Sequence, residues 1–383
     1  MRGDRPGPDL LAVAERVLEL LGEGQYVATY KYAVMLALLD LVLELPEGQD
    51  PTTHQLAEKI VQLYWPHTAP YGAREPAAVL RQNNRGQAEI VRDIARFRER
   101  VVRDRSLPLV QARARHGAAF ERLVRHVEVK LIEMPLARLQ FVGDREERFL
   151  YDIGWSRSDT EGRNWTKLLR RVRLYQAEQV GTFDNVIRLR PEARESLRQL
   201  NALLRPFVQA RWAGMVAQYN SLEEARLHAF LFGVERIDLA PVRGPLRDVQ
   251  NDRCFYCGGR LAREAEADHF LPWSRYPHNG IENLVAADRR CNGHKGDSLA
   301  SVEHVRAWAE RFRCDGPVAG DLKRIAQGLT WEHDPQRTLT VARFVYLELP
   351  RSARLWREAA HFDPPDLPAL KRILLDPHLC SAP

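Results

Sequence analysis

The chain has 383 residues, a length that suits two or three domains with hydrophobic cores of their own. Apolar residues make up 45% and charged residues 28%, which is the composition of a soluble globular protein. The net charge of +6 and the pI of about 9.1 are mildly basic, which is compatible with nucleic-acid binding without requiring it.

The apolar pattern and the N-terminus favour neither a membrane protein nor a secreted one. The longest apolar run, residues 32–45, contains Asp40 and Glu44 and is too short to span a bilayer. The polar N-terminus lacks a signal-type segment, so a cytoplasmic protein is expected. Three of the five cysteines fall in one short segment; Cys314 and Cys380 are left over, which argues against a disulfide framework.

A helical N-terminal domain is predicted over residues 1–125, with helices at about residues 10–21, 30–45 and 54–65. The second of these is apolar nearly all round, which predicts a buried central helix. Residues 92–125 carry ten arginines against four acids. This excess of positive charge predicts either a contact with DNA phosphates or a solvated helix face with ion pairs between turns.

A mixed α/β region is predicted over residues 126–240. Stretches at residues 127–132, 139–142 and 148–155 predict two or three strands, including a small β-hairpin, and residues 185–190 predict one more. A further helix opens at Pro191 and continues to about residue 219. We expect this region to recognise DNA or to regulate activity.

The most informative segment lies within residues 241–300. It contains a Cys-x-x-Cys pair, an Asp-His pair, a spaced Asn and a Cys-Asn-x-x-Lys end. These residues are Cys254, Cys257, Asp268, His269, Asn283, Cys291, Asn292 and Lys295. Few chemistries need this set in this order, and cleavage of a phosphodiester is one of them.

Phosphodiester hydrolysis needs an activated water and neutralisation of the charge that develops on the phosphate and the leaving oxygen. A histidine of near-neutral pKa supplies the first, and a divalent metal supplies the second. Asp268 is a hard oxygen ligand of the kind Mg²⁺ or Mn²⁺ prefers, and His269 is its direct neighbour. Neighbours on an extended strand point to opposite faces, so a kink or a strand end is expected here, and Pro272 would end such a strand.

The segment resembles the HNH endonuclease family, whose core is a β-hairpin followed by a helix around one metal ion. The resemblance implies that Asp268 and Asn292 bind the catalytic Mg²⁺ or Mn²⁺ and that His269 is the general base. It also implies that Asn283 supports that base by fixing its orientation. The residues expected to contact nucleic acid are Lys295, Arg289, Arg290 and Arg275.

Many members of that family carry a second Cys-x-x-Cys pair, and together the two pairs hold a structural zinc ion. Here Asp288 stands at the first position of the second pair, so the expected ligands are three cysteines (Cys254, Cys257, Cys291) and Asp288. His294 is an alternative fourth ligand, because it lies one helical turn after Cys291.

Together these patterns predict an α+β protein that is predominantly α-helical. A helical N-terminal region with a small β-hairpin precedes an HNH module over residues 241–300 and a helical C-terminal extension over residues 301–383 that caps it. The layout looks like that of bacterial restriction or phage-defence nucleases, acting on DNA as a homodimer or under a partner protein. The alternatives are a zinc-stabilised DNA-binding adaptor without catalysis and a partner-activated, toxin-like nuclease.

Overall fold

The computed structural model describes residues 10–22, 28–71, 79–103, 107–142, 145–179, 181–222, 224–233 and 238–379. Among these residues, no helix is both long and apolar enough to cross a membrane. The chain divides into two compact units, Met1–Gly233 and Val234–Pro383. The chain is mostly helical with small antiparallel strand pairs, as the predicted α+β, predominantly helical class requires.

The first unit is a helical assembly around a buried central helix. Its helices are α1 (Leu10–Gly22), α2 (Tyr30–Glu44), α3 (Thr53–Tyr64), α4 (Glu89–Phe97), α5 (Leu109–Arg115), α6 (Gly117–Glu133), α7 (Pro135–Arg138), α8 (Gly162–Gln176), α9 (Pro191–Gln199), α10 (Asn201–Asn220) and α11 (Glu224–Phe232). Helix α2 is buried from Lys31 to Glu44, as its predominantly apolar sequence predicts. Helix α3 begins with a capping box between Thr52 and Gln55.

The strands of the first unit are short pairs of two residues each. They are β1 (Phe141–Val142) with β2 (Arg145–Glu146), and β3 (Tyr151–Asp152) with β4 (Arg188–Leu189). The strand predicted at residues 127–132 is wrong, because these residues belong to α6, where Val127, Leu131 and Ile132 lie on its buried side. Helix α6 also continues across residue 125, where a domain boundary was expected.

Part of the arginine excess at residues 92–125 is consumed within the unit. The guanidinium of Arg98 is buried over the ring of Trp65, 4.7 Å from its centroid. Arg113 pairs with Glu58 at 3.0 Å, and Arg125 pairs with Glu121 at 2.8 Å. These contacts are typical of a helix face that carries ion pairs, which is the alternative to a contact with DNA phosphates that the sequence left open.

The second unit contains the informative segment and the residues that follow it. Its elements are α12 (Ala240–Val249), β5 (Glu266–His269), β6 (Leu284–Ala287), α13 (Arg289–Lys295), α14 (Val302–Ala309), α15 (Pro317–Leu329), α16 (Pro335–Leu347), β7 (Leu355–Glu358), β8 (His361–Asp363) and α17 (Leu367–Leu374). Strands β5 and β6 pair antiparallel, and α13 follows β6 after one residue.

The C-terminal extension packs on this strand pair through aromatic side chains. The ring of Trp308 in α14 stacks on Phe270 at 4.7 Å, and Trp356 in β7 contacts Tyr256 edge-on at 5.2 Å. The extension is not purely helical, because β7 and β8 form an antiparallel hairpin that its sequence did not suggest. Cys314 is disulfide-bonded, contrary to the expectation for the leftover cysteines. Cys380 lies outside the described residues.

Candidate functional site

The Asp-His pair lies at the end of strand β5. Asp268 is opposite Val285 and His269 is opposite Leu284 in the pairing with β6. The strand ends at His269, so the expected strand end is present. Only 8% of Asp268 and 6% of His269 is exposed to solvent. The two side chains are therefore held by protein contacts rather than by water.

The carboxylate of Asp268 is held by two buried donors. The hydroxyl of Tyr256, from the Cys-x-x-Cys segment, donates to its Oδ2 at 2.5 Å, and the ammonium of Lys295 lies 3.0 Å from the same oxygen. Burial holds the pKa of Tyr256 well above its ordinary value, so the phenol stays neutral and remains a donor. This contact joins the Cys-x-x-Cys segment at residues 254–257, hereafter the knuckle, to the strand that carries Asp268.

Lys295 does not lie where a phosphate contact was expected. Its side chain is completely buried, and its ammonium also donates to the backbone carbonyl of His269 at 2.8 Å. In this position the lysine neutralises Asp268 and ties α13 to β5. A lysine is almost never buried unless it is paired, and this pair explains its burial.

The imidazole of His269 is oriented by an amide that the sequence did not single out. Its Nε2 lies 2.8 Å from Oδ1 of Asn279. An amide oxygen only accepts, so Nε2 carries the proton and Nδ1 carries the lone pair. The ring also contacts Trp273 edge-on, at 5.2 Å between centroids. Burial lowers the pKa of His269, with the charge of Lys295 acting in the same direction against Asn279 and Asp268, so the imidazole is neutral near neutral pH.

Asn283 does not contact that imidazole, contrary to the expected role. Its Oδ1 accepts from the backbone N–H of Leu271 at 2.8 Å. Its Nδ2 donates to the backbone carbonyls of Leu271 and His278 at 3.2 and 3.3 Å. Asn283 is fully buried, and these bonds close the connection between β5 and β6. It thus shapes the loop that carries Asn279.

Asn292, on α13, lies beside an acid that the sequence analysis missed. Its Nδ2 donates to Oε2 of Glu266 at 2.7 Å. Glu266 stands two residues before Asp268, so both side chains leave β5 on the same face. This spacing in the sequence could have predicted that Glu266 belongs to the site. The oxygens of Asp268, Asn292 and Glu266 are hard donors of the type that suits Mg²⁺ or Mn²⁺.

The four predicted zinc ligands come together. The ligand atoms of Cys254, Cys257, Asp288 and Cys291 all lie within 4.8 Å of one another. Asp288 caps α13 by accepting from the backbone N–H of Cys291 at 2.8 Å, and its other oxygen lies 3.2 Å from the thiol of Cys257. His294 is exposed and is not part of this group, so the structure favours Asp288 as the fourth member.

This donor set fits a zinc ion. Ligands on a tetrahedron with Zn–S bonds of about 2.3 Å lie roughly 3.8 Å apart, and three thiols with one carboxylate are donors that zinc accepts. Burial raises the pKa of Cys254 to about 11. Although burial opposes it, hydrogen bonds from the backbone of Cys291 and from the cysteine thiols hold the pKa of Asp288 well below its usual range. A bound cation would favour the thiolates that zinc requires.

Three arginines of the same segment are exposed at the surface. Arg275, Arg289 and Arg290 are exposed, as a contact with nucleic acid requires. Beside Glu266 lies an open cleft of about 590 Å³. Its lining contains two further arginines that the sequence analysis did not select, Arg243 and Arg263.

A second group of side chains of the kinds that bind metal ions lies in the first unit. Glu89, Asp93 and His126 bring their ligand atoms within 4.8 Å of one another. The ammonium of Lys130 lies 3.1 Å from the carboxylate of Glu89, and the imidazole of His126 binds Asp93 at 2.9 Å. This group therefore already contains its own cation.

Comparison with known proteins identifies one segment. Residues 254–301 match the family model of the HNH endonucleases. These residues include the knuckle, the strand pair, α13 and the start of the C-terminal extension. Neither the search of curated proteins nor the search of solved structures found a significant match.

Proposed function

We propose that residues 254–301 form the catalytic centre of a metal-dependent HNH endonuclease that hydrolyses phosphodiester bonds in DNA. The observation that carries the proposal is the position of His269. Its buried imidazole lies directly after Asp268, with Nε2 2.8 Å from the amide oxygen of Asn279, in the segment that matches the HNH family, and burial lowers its pKa. This is the arrangement that a general base needs near neutral pH.

In the proposed reaction, Nδ1 of His269 takes a proton from the attacking water. Asp268 and Asn292 would hold Mg²⁺ or Mn²⁺, which when bound supplies positive charge for the phosphate and the leaving oxygen. Lys295 and Tyr256 fix the carboxylate of Asp268 from the protein side. Glu266 orients the amide of Asn292 through its hydrogen bond.

The arginines are proposed to bind the DNA backbone. Arg275, Arg289 and Arg290 are exposed, and guanidinium groups bind phosphate oxygens in a bidentate manner. The cleft lined by Arg243 and Arg263 lies next to Glu266 and offers a path for the strand beyond the scissile phosphate. Such contacts raise affinity without reading sequence.

The zinc site is proposed to be structural. Its four ligands join the knuckle to the start of α13, and the knuckle also presents Tyr256 to Asp268. A closed four-ligand site leaves no position for substrate, which is the property of a structural zinc.

Plasmid cleavage tests the proposal. The wild-type chain should nick or linearise DNA with Mg²⁺ or Mn²⁺ and not with EDTA, and His269→Ala should abolish cleavage. His294→Ala is the matched control, because His294 is an exposed histidine of the same module and should leave cleavage intact. Equal cleavage by wild type and His269→Ala would refute the role of His269. No cleavage by a folded, zinc-loaded wild type would favour the DNA-binding adaptor.

The biological role is proposed to be restriction or phage defence in a bacterium. This rests on the layout alone, with a helical unit of more than 200 residues before a late nuclease module. Double-strand cleavage by such a site calls for a homodimer or for sequential nicking, and a partner protein that controls activity is the alternative. Toxicity of the wild type in the expression host, relieved by His269→Ala, would instead favour a toxin-like nuclease.

A further inference from the structure

The connection between β5 and β6 is clamped by a short segment of the C-terminal extension. The indole N–H of Trp331 donates to the backbone carbonyl of Asn279 at 2.6 Å. Next along, the backbone N–H of Ile281 donates to the carbonyl of Glu332 at 2.9 Å. The carboxylate of Glu332 also lies 3.2 Å from the buried imidazole of His278. Residues 278–281 are thus bound to residues 331–332, about fifty residues away in sequence.

This clamp acts on the residue that touches the imidazole. Asn279 is only 7% exposed and accepts from Nε2 of His269 at 2.8 Å through its side chain. Its own backbone carbonyl is the atom that Trp331 holds. Two hydrogen bonds therefore connect Trp331 to His269 through one residue.

We propose that Asn279 and Trp331 are positioning residues that set the tautomer and orientation of His269, which makes the C-terminal extension part of the catalytic apparatus. The inference rests on the proposed function in taking His269 as the general base. Neutral imidazole divides between two tautomers, and only the one protonated at Nε2 leaves a lone pair on Nδ1. The amide oxygen of Asn279 selects that tautomer because it can only accept.

The backbone of Asn279 needs an anchor for this selection to work. An amide on an untethered connection rotates, and its nitrogen and oxygen would exchange places against the ring. Trp331 fixes the carbonyl on one side of the residue, and the bond from Ile281 to Glu332 fixes the register two residues later. Partners that orient a metal-binding histidine are typically worth about 10- to 100-fold in activity. We expect a comparable effect for a histidine that must accept a proton in a fixed direction.

The direct test reads the tautomer rather than the activity. In full-length chain labelled with ¹⁵N-histidine, at about pH 8.5 where ordinary imidazole is neutral, the two ring nitrogens of His269 should resonate far apart as one Nε2–H tautomer. Asn279→Ala should collapse this separation towards a mixture. Asn279→Asp keeps an acceptor oxygen and should restore the Nε2–H tautomer. A mixed tautomer in wild type, or no change in Asn279→Ala, would overturn the inference.

The rate of a single turnover with saturating DNA gives the second readout. Asn279→Ala should lower it about 10- to 100-fold, with DNA affinity unchanged. Trp331→Phe removes one neutral hydrogen bond and should lower it about 3- to 10-fold. The matched control is Trp308→Phe, because Trp308 donates to the carbonyl of Glu282 at 2.9 Å, on the same connection but not to Asn279. That control should cost stability while keeping the wild-type tautomer and rate.

The outcomes separate this inference from the proposed function. If the chain cuts no DNA but its Nε2–H tautomer depends on Asn279, the positioning role is supported and the endonuclease function is refuted. If the chain cuts DNA with His269, but Asn279→Ala and Trp331→Phe show the tautomer and rate of the wild type, the endonuclease function is supported and the positioning role is refuted.

Discussion

Replacing Lys295 by methionine probes the ion pair beneath the site. The ammonium of Lys295 is completely buried and lies 3.0 Å from Oδ2 of Asp268. At that separation the Coulomb attraction is about 5 kcal/mol with an effective dielectric constant of roughly 20. Removing one partner of a buried pair costs about 3–5 kcal/mol, because the other charge is left without compensation. In a unit of this size that loss lowers Tm by roughly 6–20 °C.

Differential scanning calorimetry of the full chain measures this loss as a shift in the transition of the second unit. Lys323→Met is the matched control, because Lys323 is an exposed lysine of the same unit and should change Tm little. Adding Asp268→Leu to Lys295→Met should recover a large part of the loss, since no uncompensated charge then remains. Mn²⁺ should raise the Tm of Lys295→Met more than that of wild type if Asp268 holds the catalytic metal.

A Tm for Lys295→Met equal to that of Lys323→Met would refute the reasoning. It would mean that water reaches Asp268 once its partner is gone, and that the pair does not hold α13 against β5. A double variant less stable than Lys295→Met would refute the charge argument in a different way. It would assign the loss to packing around the lysine stem rather than to electrostatics.

Two further predictions concern the zinc site and the first unit. Mass spectrometry should find about one zinc ion per chain in the wild type. Asp288→Ala should lose this ion, whereas His294→Ala should keep it. The reverse result would identify His294 as the fourth ligand. The pKa of His54 is raised above its ordinary 6.5, chiefly by the carboxylate of Glu128, which lies 3.9 Å from its ring. Protonated His54 therefore stabilises the folded chain fully below about pH 6.5, and this contribution is lost as the pH rises through the folded pKa of His54. The difference in Tm between wild type and His54→Gln should shrink above about pH 6.5. A difference that does not vary with pH would contradict this.

The parts of the site that the sequence predicted depend on a recognisable motif. Cys254, Cys257 and Cys291 were assigned together because the segment resembles the HNH family, whose two Cys-x-x-Cys pairs hold zinc, and the structure gathers them with Asp288. The sequence left the fourth ligand open, since a residue one helical turn after Cys291 is as close along the helix as its N-cap. Only the direction of the side chains in three dimensions separates the two.

The parts that the sequence did not predict depend on tertiary contacts. Lys295 ends a short helix, a position that is normally solvent-exposed, and only the packing of α13 on β5 shows that it is buried. Asn279 follows His278 in a connection of no regular pattern, and its anchor at Trp331 lies 52 residues away. No local period encodes such a contact.

In the fold, helices with a strong apolar period were predictable and short strands were not. Helix α2 is buried along its length because it is apolar nearly all round, so most ways of packing bury it. Residues 127–132 alternate over too short a stretch to separate strand from helix, and the buried contacts of α6 decide in favour of the helix. Pairs of two residues, such as β3 with β4, are too short for an alternating pattern to predict.

Gly280 offers the sharpest test of how tightly the connection is built. A Cβ at this position would lie 2.6 Å from the ring of His278, which is itself buried against Glu332. Because that ring cannot move away freely, Gly280→Ala should destabilise the second unit by about 1–3 kcal/mol and displace the neighbouring Asn279. The matched control is Gly244→Ala in α12, where a Cβ meets nothing within 4 Å; there alanine should be neutral or stabilising in a thermal melt. If Gly280→Ala melts like Gly244→Ala, the ring of His278 yields, and the connection is too pliant to fix an imidazole.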